Sequence, residues 1–263
     1  MRKRPWRSKG KHVTIRKPSH NYPGAKVLTD QSVVAQPVLV PQMDGRHTND
    51  WICSATGFLD HHTGYSYSSL QTSLDGEQTV AAKISFESHA KSHGVTIQSY
   101  HADNGWFAEQ RFLDSVNEAN QTIDFCTVGA HHQNGLIERH FQQLTSRART
   151  ILLHAKCHWP AMISTVLWPV AYKYTELLYN HFSLDTDGLS PAEKFSNVQV
   201  KVELKNYHTW GCPCYVLDSQ AQTGTMIPKW DPRSCLGIYV GHSPCHAGIV
   251  ALVLNLQSMH VSL

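Results

Sequence analysis

An apolar stripe between residues 137 and 155 is the feature that most restricts how this chain can fold. Its members recur at steps of three and four residues, which places them on one face of a single long α-helix. The stripe consists of Ile137, Phe141, Leu144, Ala148, Ile151, Leu152 and Ala155. A neighbouring polar face carries Glu138, Gln142, Thr145 and Arg149. Such a helix needs a second layer of structure to cover its apolar face.

The residues before this helix alternate between strand and helix patterns. Alternating or β-branched segments predict strands at 25–30, 51–60, 65–71, 95–100 and 122–126. Helical periods predict helices at 78–93 and about 108–119, and residues 37–50 predict a loop or hairpin. A tight turn at 61–64 joins the second and third strands, so the first three strands form an antiparallel meander. The order β-β-β-α-β-α-β, followed by a long helix, predicts an α/β fold.

Beyond the long helix the pattern changes to short strands. A further helix is predicted from about 161 to 179, and Ser190–Pro191 marks another helix start. Short strands follow at 214–217, 235–241 and 249–254. We therefore divide the chain into a basic extended arm (1–23), a larger α/β domain (24–185), a linking helical segment (186–206) and a small β module (207–263).

Positive charge is concentrated at the N-terminus. The first twenty residues contain no acid and carry eight basic side chains: Arg2, Lys3, Arg4, Arg7, Lys9, Lys11, Arg16 and Lys17. Because the whole chain has a net charge of +3, the remaining residues carry −5. A polycationic arm of this kind binds phosphates or acts as a nuclear import signal, although a solvated tail is the alternative.

Composition narrows the class of protein further. The chain of 263 residues is 41% hydrophobic and 16% charged, which excludes disorder throughout. No apolar run approaches the roughly 18 residues that a membrane span needs, so we expect an intracellular protein with no membrane partner. Seven scattered cysteines are an odd number and predict reduced thiols.

Three carboxylates stand at the ends of predicted elements. Asp30 ends the first strand, Asp103 follows the fourth and Glu138 opens the long helix, so the three can meet at one edge of a sheet. Hard divalent cations prefer such oxygens, and two Mg²⁺ ions can assist a phosphodiester displacement. Considered alone, each of these residues is also explained by turn formation or by an interaction with the helix dipole.

The sequence around these carboxylates resembles the integrase core of Copia-type LTR retrotransposons, within the retroviral integrase superfamily. The resemblance rests on segments 101–105 (His-Ala-Asp-Asn-Gly), 133–139 (Gln-Asn-Gly-Leu-Ile-Glu-Arg) and 147–153 (Arg-Ala-Arg-Thr-Ile-Leu-Leu). It continues through the matching segments 159–160, 167–169, 190–195, 211–213, 228–230, 236–241 and 252–256. It thus covers nearly the whole chain.

This resemblance implies an RNase H-like mixed five-stranded sheet with flanking helices, followed by a small β-rich, SH3-like module. Asp30, Asp103 and Glu138 take the positions of a catalytic triad that binds two Mg²⁺ or Mn²⁺ ions. The implied reactions are 3′-end processing and strand transfer of retroelement DNA into target DNA, by a homo-oligomer in the nucleus. The implied DNA-binding residues of the long helix and the turn before it are Asn134, Arg139, Gln142, Thr145 and Arg149. The basic arm adds Arg4, Arg7 and Lys9. Arg147 is either a further phosphate contact or an exposed residue of the helix.

Several departures from the family pattern leave alternatives open. Asp60 ends the second predicted strand and competes with Asp30 for the first triad position. Trp106 stands where the family usually has Arg, and 34 residues separate Asp103 from Glu138, one fewer than is typical. The upstream zinc module of the family is missing and the family polyprotein runs on past residue 263, so we expect a fragment of a retroelement. An inactive relic that only binds nucleic acid, or an RNase H-like nuclease, are the alternative functions.

A second metal site is a minor alternative. His208, Cys212, Cys214 and Cys235 offer imidazole and thiolate ligands that suit zinc. Their spacing is not that of a zinc ribbon or finger, so no zinc is expected.

Overall fold

The computed structural model describes residues 21–39, 51–126, 134–199, 203–243, 250–256 and 260–262. Within these ranges the strands are β1 Val27–Leu39, β2 Trp51–Asp60, β3 Ser66–Gln71, β4 Ser99–Ala102, β5 Thr122–Phe125, β6 Pro213–Leu217, β7 Ser234–His242, β8 Ala251–Asn255 and β9 His260–Ser262. The helices are α1 Gly76–Ser92, α2 Gln110–Glu118, α3 Gly135–His158, α4 Trp168–Phe182, α5 Pro191–Ser196 and α6 Ser219–Gln222. The basic arm, 1–20, lies outside the described residues.

The first five strands form one mixed sheet in the order β3-β2-β1-β4-β5. The meander β1-β2-β3 is antiparallel, with Asp30 opposite Gly57, whereas β4 and β5 are parallel to β1. Parallel neighbours need crossovers, which α1 and α2 supply between β3 and β4 and between β4 and β5. The predicted α/β class, with a five-stranded RNase H-like sheet, flanking helices and a following β module, is confirmed.

Each face of this sheet has its own hydrophobic core. On one face, Val27 and Phe58 pack with Phe86 of α1 and Phe112 of α2. On the other face, Leu28 and Leu59 pack with the apolar stripe of α3 and with α4. The predicted stripe is therefore the side of α3 that the sheet buries: Ile137, Leu144 and Ala155 are each at most 1% exposed.

Gly57 lets α3 approach the sheet beside Asp30. A Cβ atom at this position would overlap the ring of Phe141, which lies directly over the strand. Because Phe141 follows Glu138 by three residues, this contact also fixes the height of Glu138 above the sheet. A residue without a side chain in β2 therefore sets the distance between the first and third carboxylates.

The small β module is a four-stranded antiparallel sheet in the order β6-β7-β8-β9. Its residues Ile238, Tyr239 and Leu254 belong to the same hydrophobic cluster as Leu28 and the α3 stripe. Tyr239 meets Tyr174 of α4 edge to face, with ring centroids 6.1 Å apart. The hydrophobic cluster is thus continuous from the five-stranded sheet and its helices into the small β module.

Three predicted boundaries are wrong. Strand β1 does not end at Asp30 but continues to Leu39, because the β-branched pair Val33 and Val34 extends it up to a register irregularity between Val33 and Val38. Strand β4 begins at Ser99 rather than at residue 95, because the Val95 N–H closes the end of α1 on the Ala90 carbonyl.

Helix α4 begins at Trp168 rather than at about 161. Pro169 occupies its first turn, where the missing N–H has no partner to lose. The residues before it form a 3₁₀ turn at Thr165–Leu167, capped by the Ser164 hydroxyl. In the described part of the chain, no helix is long and apolar enough to cross a membrane.

Candidate active site

The three predicted carboxylates come together on the α3 face of the five-stranded sheet. Asp30 lies in β1, Asp103 follows β4 directly and Glu138 is in the first turn of α3. Leu28 of β1 pairs with His101 of β4, and continuing this parallel register by two residues brings Asp103 alongside Asp30. Three separate elements therefore supply the three carboxylates.

The charges of Asp103 and Glu138 both act on the Asp30 carboxylate. The pKa of Asp30 is raised to about 6, first by burial and then by the negative charges of Asp103 and Glu138. A hydrogen bond from the backbone N–H of Gln31, 2.8 Å from Asp30 Oδ1, opposes this rise. Within the described residues, none of the three carboxylates forms an ion pair with Lys or Arg.

The chemistry of this donor set fits a divalent cation. Three carboxylates that repel one another favour a bound cation, and their oxygens are the ligands that Mg²⁺ and Mn²⁺ prefer. A further oxygen, Asn134 Oδ1, is buried without a partner among the described atoms, while Asn134 Nδ2 lies 3.5 Å from the Thr29 carbonyl. No group of three or more His, Cys, Asp or Glu residues in the described ranges is already arranged to hold an ion.

Asp60, the alternative first carboxylate, has a structural role at the other end of β1. It pairs with Val27 across the sheet and is completely buried. Its two oxygens accept hydrogen bonds from the Gly24 N–H at 2.8 Å, the Thr63 N–H at 2.8 Å and the Thr63 hydroxyl at 2.7 Å. Both oxygens already have donors, so the geometry favours Asp30 as the first carboxylate.

The turn after β4 ties Asp103 to the edge strand. The Asn104 amide donates to the carbonyl of Cys126 at 3.0 Å, and the Gly105 N–H donates to Asp103 Oδ1 at 3.2 Å. Gly105 also leaves room for the carboxylate, because a Cβ there would lie 3.2 Å from Asp103 Oδ1. The Asn-Gly pair thus positions the second carboxylate. Trp106 begins a short 3₁₀ turn and is 47% exposed.

The predicted DNA-binding residues of α3 divide into two groups. Arg139, Gln142, Thr145 and Arg149 are all exposed and share the helix with Glu138. Asn134, by contrast, is 1% exposed and forms the N-terminal boundary of α3. The Arg147 guanidinium lies over the Tyr179 ring, 6.0 Å from its centroid. Arg4, Arg7 and Lys9 lie outside the described residues.

The sequence did not predict that Cys126 and His101 lie in contact beside the carboxylates. Cys126 Sγ lies 3.5 Å from His101 Nε2, at the point where β5 ends. Burial, and then the charges of Asp103, Glu138 and Asp30, raise the pKa of the Cys126 thiol. No local sequence signal could have shown this contact, because the parallel register of β4 and β5 creates it.

The alternative zinc ligands are not gathered into a site. His208 packs edge to face on Tyr239, and Cys235 Sγ lies 3.6 Å from Asp218 Oδ2. Cys212 and Cys214 stand at the entry to β6, and no metal-holding group forms among the described residues there.

Comparison with known proteins gives matches in structure only. No protein-family model and no curated protein matches the sequence. The integrase catalytic core of HTLV-2 in complex with magnesium matches with a TM-score of 0.46 and 14% identity, covering 66% of this chain and 97% of that chain. The simian T-cell lymphotropic virus intasome in complex with PP2A regulatory subunit B56 gamma matches with a TM-score of 0.49 and 14% identity, covering 88% and 73%. The catalytic core of BIV integrase matches with a TM-score of 0.46 and 13% identity, covering 66% and 95%.

Proposed function

We propose that this chain is a metal-dependent polynucleotidyl transferase of the integrase type, related to the Copia elements. The observation that carries the proposal is the convergence of Asp30, Asp103 and Glu138: the pKa of Asp30 is raised to about 6, first by burial and then by the charges of Asp103 and Glu138. Bringing three carboxylates together without a cationic partner costs free energy, and a cation site is a physical reason for such an arrangement.

The three carboxylates would hold one or two Mg²⁺ or Mn²⁺ ions. When bound, such ions activate a water or a 3′-hydroxyl and stabilise the leaving oxygen of the phosphodiester. Asp30 is largely ionised at neutral pH despite its raised pKa, so it is ready to act as a ligand. Asn104 and Gly105 hold the turn that carries Asp103, and the Phe141 contact with Gly57 fixes the base of Glu138.

The exposed face of α3 is the proposed contact with DNA. Arg139 and Arg149 would hold phosphates, and Gln142 and Thr145 would reach the DNA end next to Glu138. The basic arm, with Arg4, Arg7 and Lys9, would add phosphate contacts that depend on salt concentration, and would direct the protein to the nucleus. The partners in this proposal are retroelement DNA ends, target DNA and further copies of the chain.

A disintegration assay on a branched DNA substrate with Mn²⁺ tests the proposal. We expect wild-type activity, and loss of at least about a thousandfold in Asp103→Asn and in Glu138→Gln, since each removes a metal ligand. Asp124→Asn is the matched control: it changes an exposed carboxylate on the neighbouring strand β5, paired with Lys26 at 3.7 Å, outside the cluster.

The possible outcomes separate the alternative functions. DNA cleavage without strand transfer, abolished by the same two variants, would indicate an RNase H-like nuclease. Equal activity in the wild type and in Asp103→Asn would contradict the proposed site. A folded wild-type chain with no activity on any branched or nicked substrate would favour a relic that binds nucleic acid only.

A further inference from the structure

A buried polar network lies under β1, on the face of the sheet opposite to the carboxylates. Side chains alternate along a strand, so Gln31 points to the α1 face, as Val27 does, while Asp30 points to the α3 face. Gln31 Nε2 donates a hydrogen bond to Gln71 Oε1 at 3.1 Å. The Thr56 hydroxyl donates to the same Gln71 oxygen at 2.9 Å. The network thus joins all three strands of the antiparallel meander.

The Gln71 side chain reaches across a whole strand to make this contact. Gln71 ends β3 opposite Ser54 of β2, whereas Gln31 lies on β1 opposite Thr56. Gln71 is 1% exposed, and Ser54 and Thr56 are completely buried. Gln71 Nε2 has no partner among the described atoms, so this amide stabilises the fold less than a fully paired one would. A role other than stability therefore has to be considered for it.

The backbone of Gln31 connects the network to the first carboxylate. The Gln31 N–H donates to Asp30 Oδ1 at 2.8 Å, and among the described residues it is the only hydrogen-bond donor to this carboxylate. The regular pairing of β1 with β2 is lost beyond Val33, two residues further along the strand. We expect β1 to loosen from this irregularity inwards. The contact between the Gln31 and Gln71 side chains limits that loosening and keeps the Gln31 N–H directed at Asp30.

We propose that Gln71 is a positioning residue for the candidate active site and acts through Gln31 on the direction of the Asp30 carboxylate. Gln71 holds the Gln31 amide, and the Gln31 N–H holds Asp30 Oδ1. Asp30 Oδ2 accepts no hydrogen bond from the described residues, so it is the oxygen left for a cation. A carboxylate whose direction is fixed before the cation arrives loses less conformational freedom on binding. The inference rests on the proposed function, because it concerns the affinity of the same cation site.

The Mn²⁺ affinity of the full chain tests the inference without DNA or catalysis. Electron paramagnetic resonance measures the free Mn²⁺ during a titration. Gln71→Met removes the amide at nearly constant side-chain length, and we expect it to weaken Mn²⁺ binding at least about tenfold. Gln121→Met is the matched control: it removes an amide that donates to Glu87 Oε1 at 2.7 Å and to the Ile97 carbonyl at 3.2 Å, at the end of β5 away from the carboxylates. It should lower the thermal stability and leave the Mn²⁺ affinity within about twofold of the wild type.

A double-mutant cycle separates positioning from a general loss of stability. Gln31→Met should weaken Mn²⁺ binding about as much as Gln71→Met does. Combining the two should weaken it by less than about a further twofold, because both substitutions break the same contact. Losses of affinity that multiply in the double variant would show that the two glutamines act independently, which would overturn the inference.

A second measurement, on the wild-type protein, does not depend on how the variants fold. In residue-resolved hydrogen exchange without metal, we expect the Gln31 N–H to exchange at least about a hundredfold more slowly than an unprotected amide. Exchange at the unprotected rate would overturn the inference, because Asp30 would then have no fixed donor. A wild type that binds no Mn²⁺ would contradict the proposed function and this inference together, whereas equal Mn²⁺ affinities of the wild type and Gln71→Met would overturn this inference alone.

Discussion

Two carboxylates of this protein, one buried and one half-buried, lie in opposite surroundings. Glu176 of α4 is 4% exposed and accepts hydrogen bonds from the hydroxyls of Ser66 and Ser68, at 3.0 and 2.7 Å. The Lys173 ammonium completes its shell at 2.6 Å. Asp30 accepts a hydrogen bond from the Gln31 backbone, and the charges that act on it are those of two further carboxylates.

The difference separates a carboxylate that stabilises the fold from one that is proposed to bind a cation. Glu176 joins α4 to the edge strand β3, and each donor around it comes from the chain itself. At Asp30 the chain supplies one backbone donor together with further negative charge, so folding leaves repulsion that an external cation would relieve. The two places should therefore respond to mutation with opposite signs.

The largest expected effect is at the compensated site. Glu176→Leu removes the carboxylate acceptor of two buried hydroxyls and the ion-pair partner of Lys173, so we expect the free energy of unfolding to fall by about 3 kcal/mol. Urea denaturation measures this change. Glu203→Leu is the control, because it breaks an exposed ion pair with Lys205 and should cost less than about 1 kcal/mol. Equal losses of unfolding free energy in the two variants would show that the Glu176 contacts stabilise the protein no more than an exposed ion pair does.

A smaller effect is expected where α3 is held against the sheet. Gly57→Ala places a methyl group against the Phe141 ring, which should lower the free energy of unfolding by about 1 to 3 kcal/mol and displace Glu138. Phe141→Leu in the same chain should recover part of both stability and activity, a coupling that a double-mutant cycle measures. Gly135→Ala, which meets nothing within 4 Å, should leave stability unchanged. Absence of coupling between positions 57 and 141 would contradict the proposed spacing role.

The sequence predicts the elements of this fold better than their contacts. The α3 stripe and the alternating strands follow from periodicity, and Asp103 and Glu138 follow from their place at element ends. Asp30 and Asp60 could not be told apart in this way, since both sit in predicted strand ends and only the antiparallel register separates them. Cys126 and His101 are 25 residues apart and meet through a parallel pairing that leaves no local pattern. Pro169, in contrast, marks the start of α4 locally, because proline favours the first turn of a helix.

The smallest expected change in the free energy of unfolding is at Asp30. Its sign is opposite to that of the other two, because replacing Asp30 should stabilise the protein. The folded pKa of Asp30, about 6, exceeds the unfolded value of 3.8, so the protonated form favours folding. That stability is fully present below about pH 4 and is lost as the pH rises through about 6. Each pKa unit corresponds to about 1.4 kcal/mol, and partial exposure of Asp30 reduces the total to about 1 to 2 kcal/mol.

Asp30→Asn should therefore make the metal-free protein more stable at pH 7 by about 1 to 2 kcal/mol, while abolishing activity. The stability difference from wild type should vanish below about pH 4, where Asp30 is protonated, and this comparison cancels the titration of all other groups. Mg²⁺ should raise the unfolding midpoint of the wild type and have little effect on the variant. If Asp30→Asn instead destabilises the protein at pH 7, the Asp30 carboxylate is compensated in the way Glu176 is, and the contrast between the two sites fails.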